Sequence, residues 1–236
     1  MISLGTYTTP PHECAYLPAE RASMRYEMVL HCTPEELEAR LTSGWRRFGY
    51  SFFKPVCKAC QACQSVRVPL ATFKPNRSQR RAVRDNADVE LRIGPASVTR
   101  EKLTLYDRFH DHQAEAKGWP DHLPKDPRSY RESFVEGPVP TEEWCYYFDG
   151  QLVGVGYVDV IPSGLSAIYF FHDPEYKNRS LGTLNVMRVL EEAARRGMTH
   201  AYLGYFVDGC PSLAYKANFG PNEALGEGGA WAAFKS

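Results

Sequence analysis

Polar and apolar residues alternate over residues 24–29, and that period of two predicts a short strand. Thr33, Pro34 and Glu36 read as a helix start: a threonine cap, proline in the first turn, glutamate three residues after the cap. Leu37 and Leu41 continue it at i, i+4, and Gly44 marks where the helix should fade. The aromatic-rich residues 45–53 suggest a strand running into three closely spaced cysteines. Another short strand, ended by proline, is expected at 65–70. The basic run 78–85 is compatible with a helix, and 99–117 places Leu103, Tyr106, Phe109 and His110 on one helical face. Prolines punctuate residues 118–141, which predicts a long loop of the kind that often carries function.

The second half is more regular. Strands are expected at 144–148 and 152–161, joined by Asp149-Gly150, a strong hairpin signal. Ser163-Gly164 marks a second turn before a strand at 165–171. An amphipathic helix over 180–196, with Leu184, Met187, Val189, Leu190 and Ala193 inward, is closed by Gly197. A strand at 200–205 and a tail broken by glycine and proline complete the chain. This order predicts an α/β (α+β) fold of the kind found in acyltransferase half-domains. Two parts are expected: residues 1–90, an N-terminal subdomain with the cysteines and the basic segment, and residues 91–236, the transferase domain.

Composition sharpens the picture. In 236 residues, 43% hydrophobic and 13% aromatic content is ample for a packed core. Lys+Arg and Asp+Glu both number 28, so contact with a polyanion has to come from a local patch. Residues 74–84 supply one, with Lys74, Arg77, Arg80, Arg81 and Arg84 and no acid. No apolar run approaches the roughly 20 residues of a membrane span, and the first residues lack the features of a signal peptide. The odd cysteine count, with three at CxxCxxC spacing, suits a reducing compartment, so a cytoplasmic location is expected.

Four groups of residues could carry chemistry. Cys57, Cys60 and Cys63 could converge on one ion, with Cys14 closing the shell around zinc or an iron–sulfur cluster; otherwise they are small buried hydrophobes in a tight turn. Cys32 and Cys145 read as core residues. Arg77, Ser78, Gln79, Arg80, Arg81 and Arg84 could grip phosphates, or form a solvated helix face. The turn Arg179-Ser180-Leu181-Gly182-Thr183 precedes a helix, where backbone N–H groups can cradle phosphate or an oxyanion; a plain cap would look the same. Tyr202, Gly204, Tyr205, Cys210, Tyr215 and Lys216 read as a pocket lining or as aromatic packing. None of the histidines falls into Ser/His/Asp or His-x-x-x-His logic.

Several of these segments together resemble the aminoacyl-tRNA–protein transferases. In the N-terminal half the likeness rests on His12-Glu13-Cys14-Ala15-Tyr16-Leu17-Pro18, on Cys57, Cys60 and Cys63, and on the run from Phe73 to Arg81. In the C-terminal half it rests on Phe171-His172-Asp173-Pro174, on Arg179 to Thr183, on Tyr202 to Tyr205 and on Cys210 to Lys216. The motifs run in order over nearly the whole chain. Length and the single early cysteine resemble the bacterial aspartate/glutamate leucyltransferase branch; arginyltransferases carry a second cysteine where Leu17 stands. Ser212 stands where the family has lysine.

The resemblance implies a GNAT-like acyltransferase fold and transfer of leucine from leucyl-tRNA to N-terminal Asp or Glu, marking acceptor proteins for the N-degron pathway. The partners implied are charged tRNA and such acceptors, with no membrane. The ester is already activated, so no cofactor is required for the chemistry. The roles implied are Arg179, Tyr205 and Tyr215 at the reacting centre, and Arg77, Arg80, Arg81, Ser180, Gly182 and Lys216 in substrate binding. Cys14, Cys57, Cys60 and Cys63 are the metal candidates. Arginine transfer from arginyl-tRNA, acetyl transfer from acetyl-CoA by a GNAT enzyme, and a non-catalytic zinc module binding RNA stand as alternatives.

Overall fold

The computed structural model describes residues 1–234. The first stretch comprises β1 (Ile2–Thr8), β2 (His12–Glu13), β3 (Arg21–Ala22), β4 (Met24–His31), α1 (Pro34–Thr42), β5 (Arg46–Phe48), β6 (Ser51–Pro55) and β7 (Gln64–Pro69). Next come α2 (Arg77–Arg84), β8 (Glu90–Pro95), α3 (Arg100–Lys117), α4 (Pro127–Tyr130), β9 (Thr141–Phe148), β10 (Gln151–Ile161) and β11 (Gly164–His172). The chain ends with α5 (Leu181–Arg195), β12 (His200–Phe206), α6 (Pro211–Ala214), β13 (Glu223–Leu225) and β14 (Trp231–Ala233). Short 3-10 turns at Pro174–Arg179 and Tyr215–Asn218 lead into α5 and out of α6.

Local chemistry explains the elements that the pattern predicts. Thr33 and Glu36 form a reciprocal capping box at α1, which buries Leu37 and Leu41. Thr99 caps α3, and Gly118, at φ 65°, ends it in the left-handed region. Asp149 and Gly150 both take positive φ between β9 and β10, as a two-residue hairpin turn requires.

Residues 45–53 depart from expectation. They form the hairpin β5–β6, turned at Gly49, rather than one strand. A Cβ on Gly49 would lie 2.0 Å from the Glu132 carbonyl oxygen, so only glycine lets the two backbones approach there. The expected loop at 118–141 holds α4 and one further helical turn, Arg131–Val135.

The protein is a mixed α/β structure around one large mixed sheet, ordered β14-β13-β7-β12-β11-β10-β9-β8. Among its pairs only β11–β12 is parallel. On one face α5 buries Leu184, Met187, Val189, Leu190 and Ala193 over Val153, Val158, Leu165 and Ala201, with α2 beside it. The other face carries α3, packed through Leu105 and Phe109, and the smaller sheet β1-β4-β6-β5. Residue 90 is the first of β8, and β7, from the N-terminal part, is hydrogen-bonded between β12 and β13. Among the described residues no helix is long and apolar enough to cross a membrane.

Candidate functional site

The central feature is a fork between the two parallel strands. β11 and β12 pair only over Gly164 to Ser166 against His200 to Tyr202. Beyond that point β11 stays with β10 as far as His172, while β12 stays with β7 as far as Phe206. Their inner edges part, and the groups that a parallel ladder would use face the opening. At the parting, Arg46 reaches over from β5 and its Nη2 donates to the Ala167 carbonyl at 2.6 Å.

The β12 side of the fork is shaped by Gly204. The register with β7 shifts between Tyr202 and Gly204, and Gly204 adopts φ 84°. A Cβ there would lie 3.3 Å from Lys216 Nζ and 3.5 Å from Arg46 Nε and Nη2. Two cations therefore converge over this residue. Lys216 Nζ also donates to the Tyr205 carbonyl at 2.9 Å.

The electrostatics around them are unbalanced. Arg47, next in sequence to Arg46, is buried and fully matched: it pairs with Asp159 and donates to Thr141 Oγ1 at 2.6 Å and the Gly49 carbonyl at 3.0 Å. Arg46 is 8% exposed, and among the described residues neither it nor Lys216 forms an ion pair. Burial of its ammonium, with the Arg46 charge alongside, pushes Lys216 down to about 7; the Cys210 thiol opposes this weakly. Burial likewise lowers Arg46.

Tyr205 closes one wall. Its hydroxyl lies 2.8 Å from the Gly44 carbonyl, to which it donates, and 3.3 Å from that of Phe53, whose ring is 6.5 Å away. Burial raises its pKa. A hydroxyl engaged in this way fixes β12 against the smaller sheet. Tyr215 is 40% exposed, with its ring edge-on to Phe219.

The other expected binding residues gather on the α5 face. Arg77, Arg80, Arg81 and Arg84 are exposed on α2. Gln79, expected to help grip phosphate, instead points inward. Its Oε1 accepts from the Asn76 N–H at 2.8 Å, and its Nε2 donates to the Asn218 carbonyl at 2.9 Å. This links the basic helix to the same 3-10 turn that carries Lys216. Asn86 donates to the Arg179 carbonyl at 2.7 Å, joining the end of α2 to the turn before α5. The Arg179 guanidinium lies over the Phe148 ring at 3.8 Å and pairs with Asp88 at 2.8 Å, so its side chain anchors that turn. Ser180 has φ 55°, no side chain caps α5, and a Cβ on Gly182 would meet nothing within 4 Å.

The fork thus unites Tyr205 and Lys216, while Arg77, Arg80 and Arg81 join Ser180 and Gly182 on the α5 face. Sequence reasoning missed Arg46. The available signal was a pair of arginines between Trp45 and Phe48, in a segment otherwise apolar enough to be buried.

Cys14, Cys57, Cys60 and Cys63 lie near one another. Burial, and then the neighbouring Cys14, Cys57, Cys60 and Cys210 thiols, push Cys63 up to about 12. Cys57 Sγ accepts from the Ser23 N–H at 3.4 Å. Among the described residues, however, no group of three or more His, Cys, Asp or Glu side chains is placed to hold a metal ion.

Residues 12–81 match the family model described as "Arginine-tRNA-protein transferase, N terminus", and residues 101–226 match the corresponding C terminus. The chain is 38% identical over 229 residues to the aspartate/glutamate leucyltransferase of Marinobacter nauticus, covering 96% of this chain and 94% of that one. It is 37% identical over 233 residues to that of Halorhodospira halophila, covering 94% of each. To that of Campylobacter jejuni subsp. jejuni it is 33% identical over 226 residues, covering 95% and 94%.

Proposed function

The chain belongs to the arginine-tRNA-protein transferase family, and on that premise we propose that it transfers leucine from leucyl-tRNA to the N-terminal Asp or Glu of acceptor proteins. The observation that carries this reading is the fork between β11 and β12, with a basic helix on one face of the sheet and the cations Arg46 and Lys216 in its mouth. We read it as a GNAT-like arrangement, in which the acyl donor enters from the α5 side and the amine meets it across the opened strands.

Donor binding falls to the α5 face. Arg77, Arg80 and Arg81 contact tRNA phosphates, and the uncapped start of α5 at Ser180 and Gly182 offers backbone N–H groups to the ester oxygen as charge develops on it. The acceptor's α-amine, with an unperturbed pKa of roughly 7.7 to 8.0, is partly neutral near pH 7 and attacks the ester carbonyl. The acyl–oxygen bond of the ester then breaks and an amide forms. The proton lost by nitrogen balances the hydroxyl regenerated on the terminal ribose of the tRNA. Catalysis in this scheme rests on holding two substrates in register and stabilising the oxyanion. The product carries a new N-terminal leucine, the mark of an N-degron substrate, and the reaction belongs to the cytoplasm where charged tRNA is found.

The test is incorporation of radiolabelled leucine, and separately arginine, from charged tRNA into peptides beginning with Asp, Glu or Ala. Leucine on Asp and Glu but not on Ala supports the reading. Arginine on the same peptides moves the donor to the other branch, and no incorporation of either removes the reading.

A further inference from the structure

Among the described residues neither Arg46, which is buried, nor Lys216, half-buried with its ammonium turned inward, has a counter-ion, and a pair of like charges so enclosed is costly unless an anion completes it. We propose that Arg46 and Lys216 form the pocket for the side-chain carboxylate of the acceptor's N-terminal Asp or Glu. This rests on the transferase reading above and names the residues that set its acceptor specificity.

The arrangement favours a carboxylate. Arg46 spends Nη2 on the Ala167 carbonyl, and its planar guanidinium keeps further N–H donors for a planar two-oxygen acceptor. Lys216 comes from a different element, at the end of a flexible stem, and can follow a carboxylate displaced by one methylene. Such a pair accommodates both Asp and Glu. The nearby carboxylate that could satisfy Arg46 from within, Asp159, is already held by Arg47. The cations also stand at the mouth of the fork, where the acceptor's first residue has to lie for its amine to reach the ester. The exposed arginines of α2 are better placed for a phosphate backbone.

Among the described residues the groups facing Lys216 are Arg46, the Cys210 thiol and the Tyr205 carbonyl; the carboxylate near Arg46, Asp159, is offset by Arg47, so the free pocket holds net positive charge. With Lys216 at about 7 in the free enzyme, a bound carboxylate draws it back toward its ordinary value. Above pH 7, binding an acidic residue then takes up a proton and weakens as pH rises. The acceptor's α-amine titrates nearby but contributes equally to an Asp and an Asn peptide, so the ratio of their affinities isolates the pocket.

The experiment measures binding of fluorescent peptides beginning Asp, Glu, Asn or Gln by anisotropy, without tRNA, alongside steady-state transfer. Wild-type protein is compared with Arg46→Gln, Arg46→Lys and Lys216→Gln, each checked for folding by circular dichroism. The expected result is Asp bound roughly tenfold or more tighter than Asn, that ratio falling above pH 7. Lys216→Gln should collapse the ratio toward one, raise KM for the acceptor and leave charged-tRNA affinity within twofold. Arg46→Lys should recover part of what Arg46→Gln loses. An Asp/Asn ratio unchanged in folded variants overturns the proposal. So does a loss of tRNA affinity with acceptor binding intact, because the cations then serve the donor. Peptide binding that depends on both cations, in protein transferring neither leucine nor arginine, would sink the transferase reading while leaving the pocket standing.

Discussion

Asp159 gives both carboxylate oxygens to Arg47, Oδ2 lying 2.9 Å from Nε and Oδ1 pairing with Nη2. Two adjacent arginines thus enter the core on opposite terms. Arg47 has its charge matched and ties β5 to β10, whereas Arg46 is left, among the described residues, without an ion-pair partner.

The first prediction tests the matched partner. Asp159→Asn leaves Arg47 buried with its charge uncompensated, a change that typically costs about 3–5 kcal/mol. Urea denaturation should show this as a lower midpoint at unchanged slope. A loss below about 1 kcal/mol would mean that water or another acid replaces Asp159.

Lys216 should make stability depend on pH. Its folded-state pKa, about 7, lies below the 10.5 of the free side chain, so between these values the unfolded chain holds a proton that the folded chain does not. Below pH 7 both states are protonated and the full cost of the buried charge is present. From pH 7 toward 10.5 that cost is relieved by at most about 1.4 kcal/mol per unit. Thermal melts of wild type and Lys216→Met should therefore converge as pH rises from 6 to 9, with the variant more stable at pH 6. A constant difference between them would contradict the depressed value.

On α2 the expected effect is on salt dependence. Arg80→Ala and Arg81→Ala remove exposed charges, so melting temperature should stay nearly constant while charged-tRNA binding weakens. If each contacts one phosphate, the slope of log affinity against log salt should fall by about one per substitution. An unchanged slope would return these residues to the role of a solvated helix face.

Much of the fold could be read along the chain, and the reasons differ by element. The α1 cap, the Asp149-Gly150 hairpin and the apolar stripe of α5 are local signals, and the structure realises all three. β1, β8, β13 and β14 carry no such signal; β1 is exposed along its whole length and exists through its pairing with β4. The split of 45–53 into two strands follows from a close contact between Gly49 and Glu132, residues far apart in sequence. Lys216 and Tyr205 stood out as motif residues, but their neighbour Arg46 arrives from a strand over 150 residues earlier. The roles of Arg179 and Gln79 depended on partners, Asp88 and Asn218, that no local pattern reveals.

Tyr205→Phe separates wall from reacting group. Losing the hydroxyl that donates to the Gly44 carbonyl should cost about 0.5–1.5 kcal/mol of stability, with kcat reduced no more than about threefold at a permissive temperature. A drop in kcat of a hundredfold or more, in a folded variant, would assign the hydroxyl to chemistry.

Gly204→Ala combines an unfavourable φ of 84° with a Cβ that crowds the Lys216 ammonium at 3.3 Å and touches the Arg46 guanidinium at 3.5 Å. It should destabilise the protein by about 1–2 kcal/mol and raise the acceptor KM more than it lowers kcat. Kinetics on an Asp peptide at saturating charged tRNA would separate the two effects.

The place of β7 bears on how the molecule is made. On one edge this strand meets Tyr202 through Arg67; on the other the same arginine stands opposite Glu223. A growing chain therefore carries a strand with both edges bare, and with Val66 and Val68 uncovered, while more than a hundred further residues are synthesised. Sheet closure waits until β12 and β13 have been made, so these pairings span long stretches of sequence, form slowly and leave an interval in which β7 can pair wrongly. Chains truncated before β12 should aggregate through that exposed strand, so the burden on chaperones falls early in the life of each molecule.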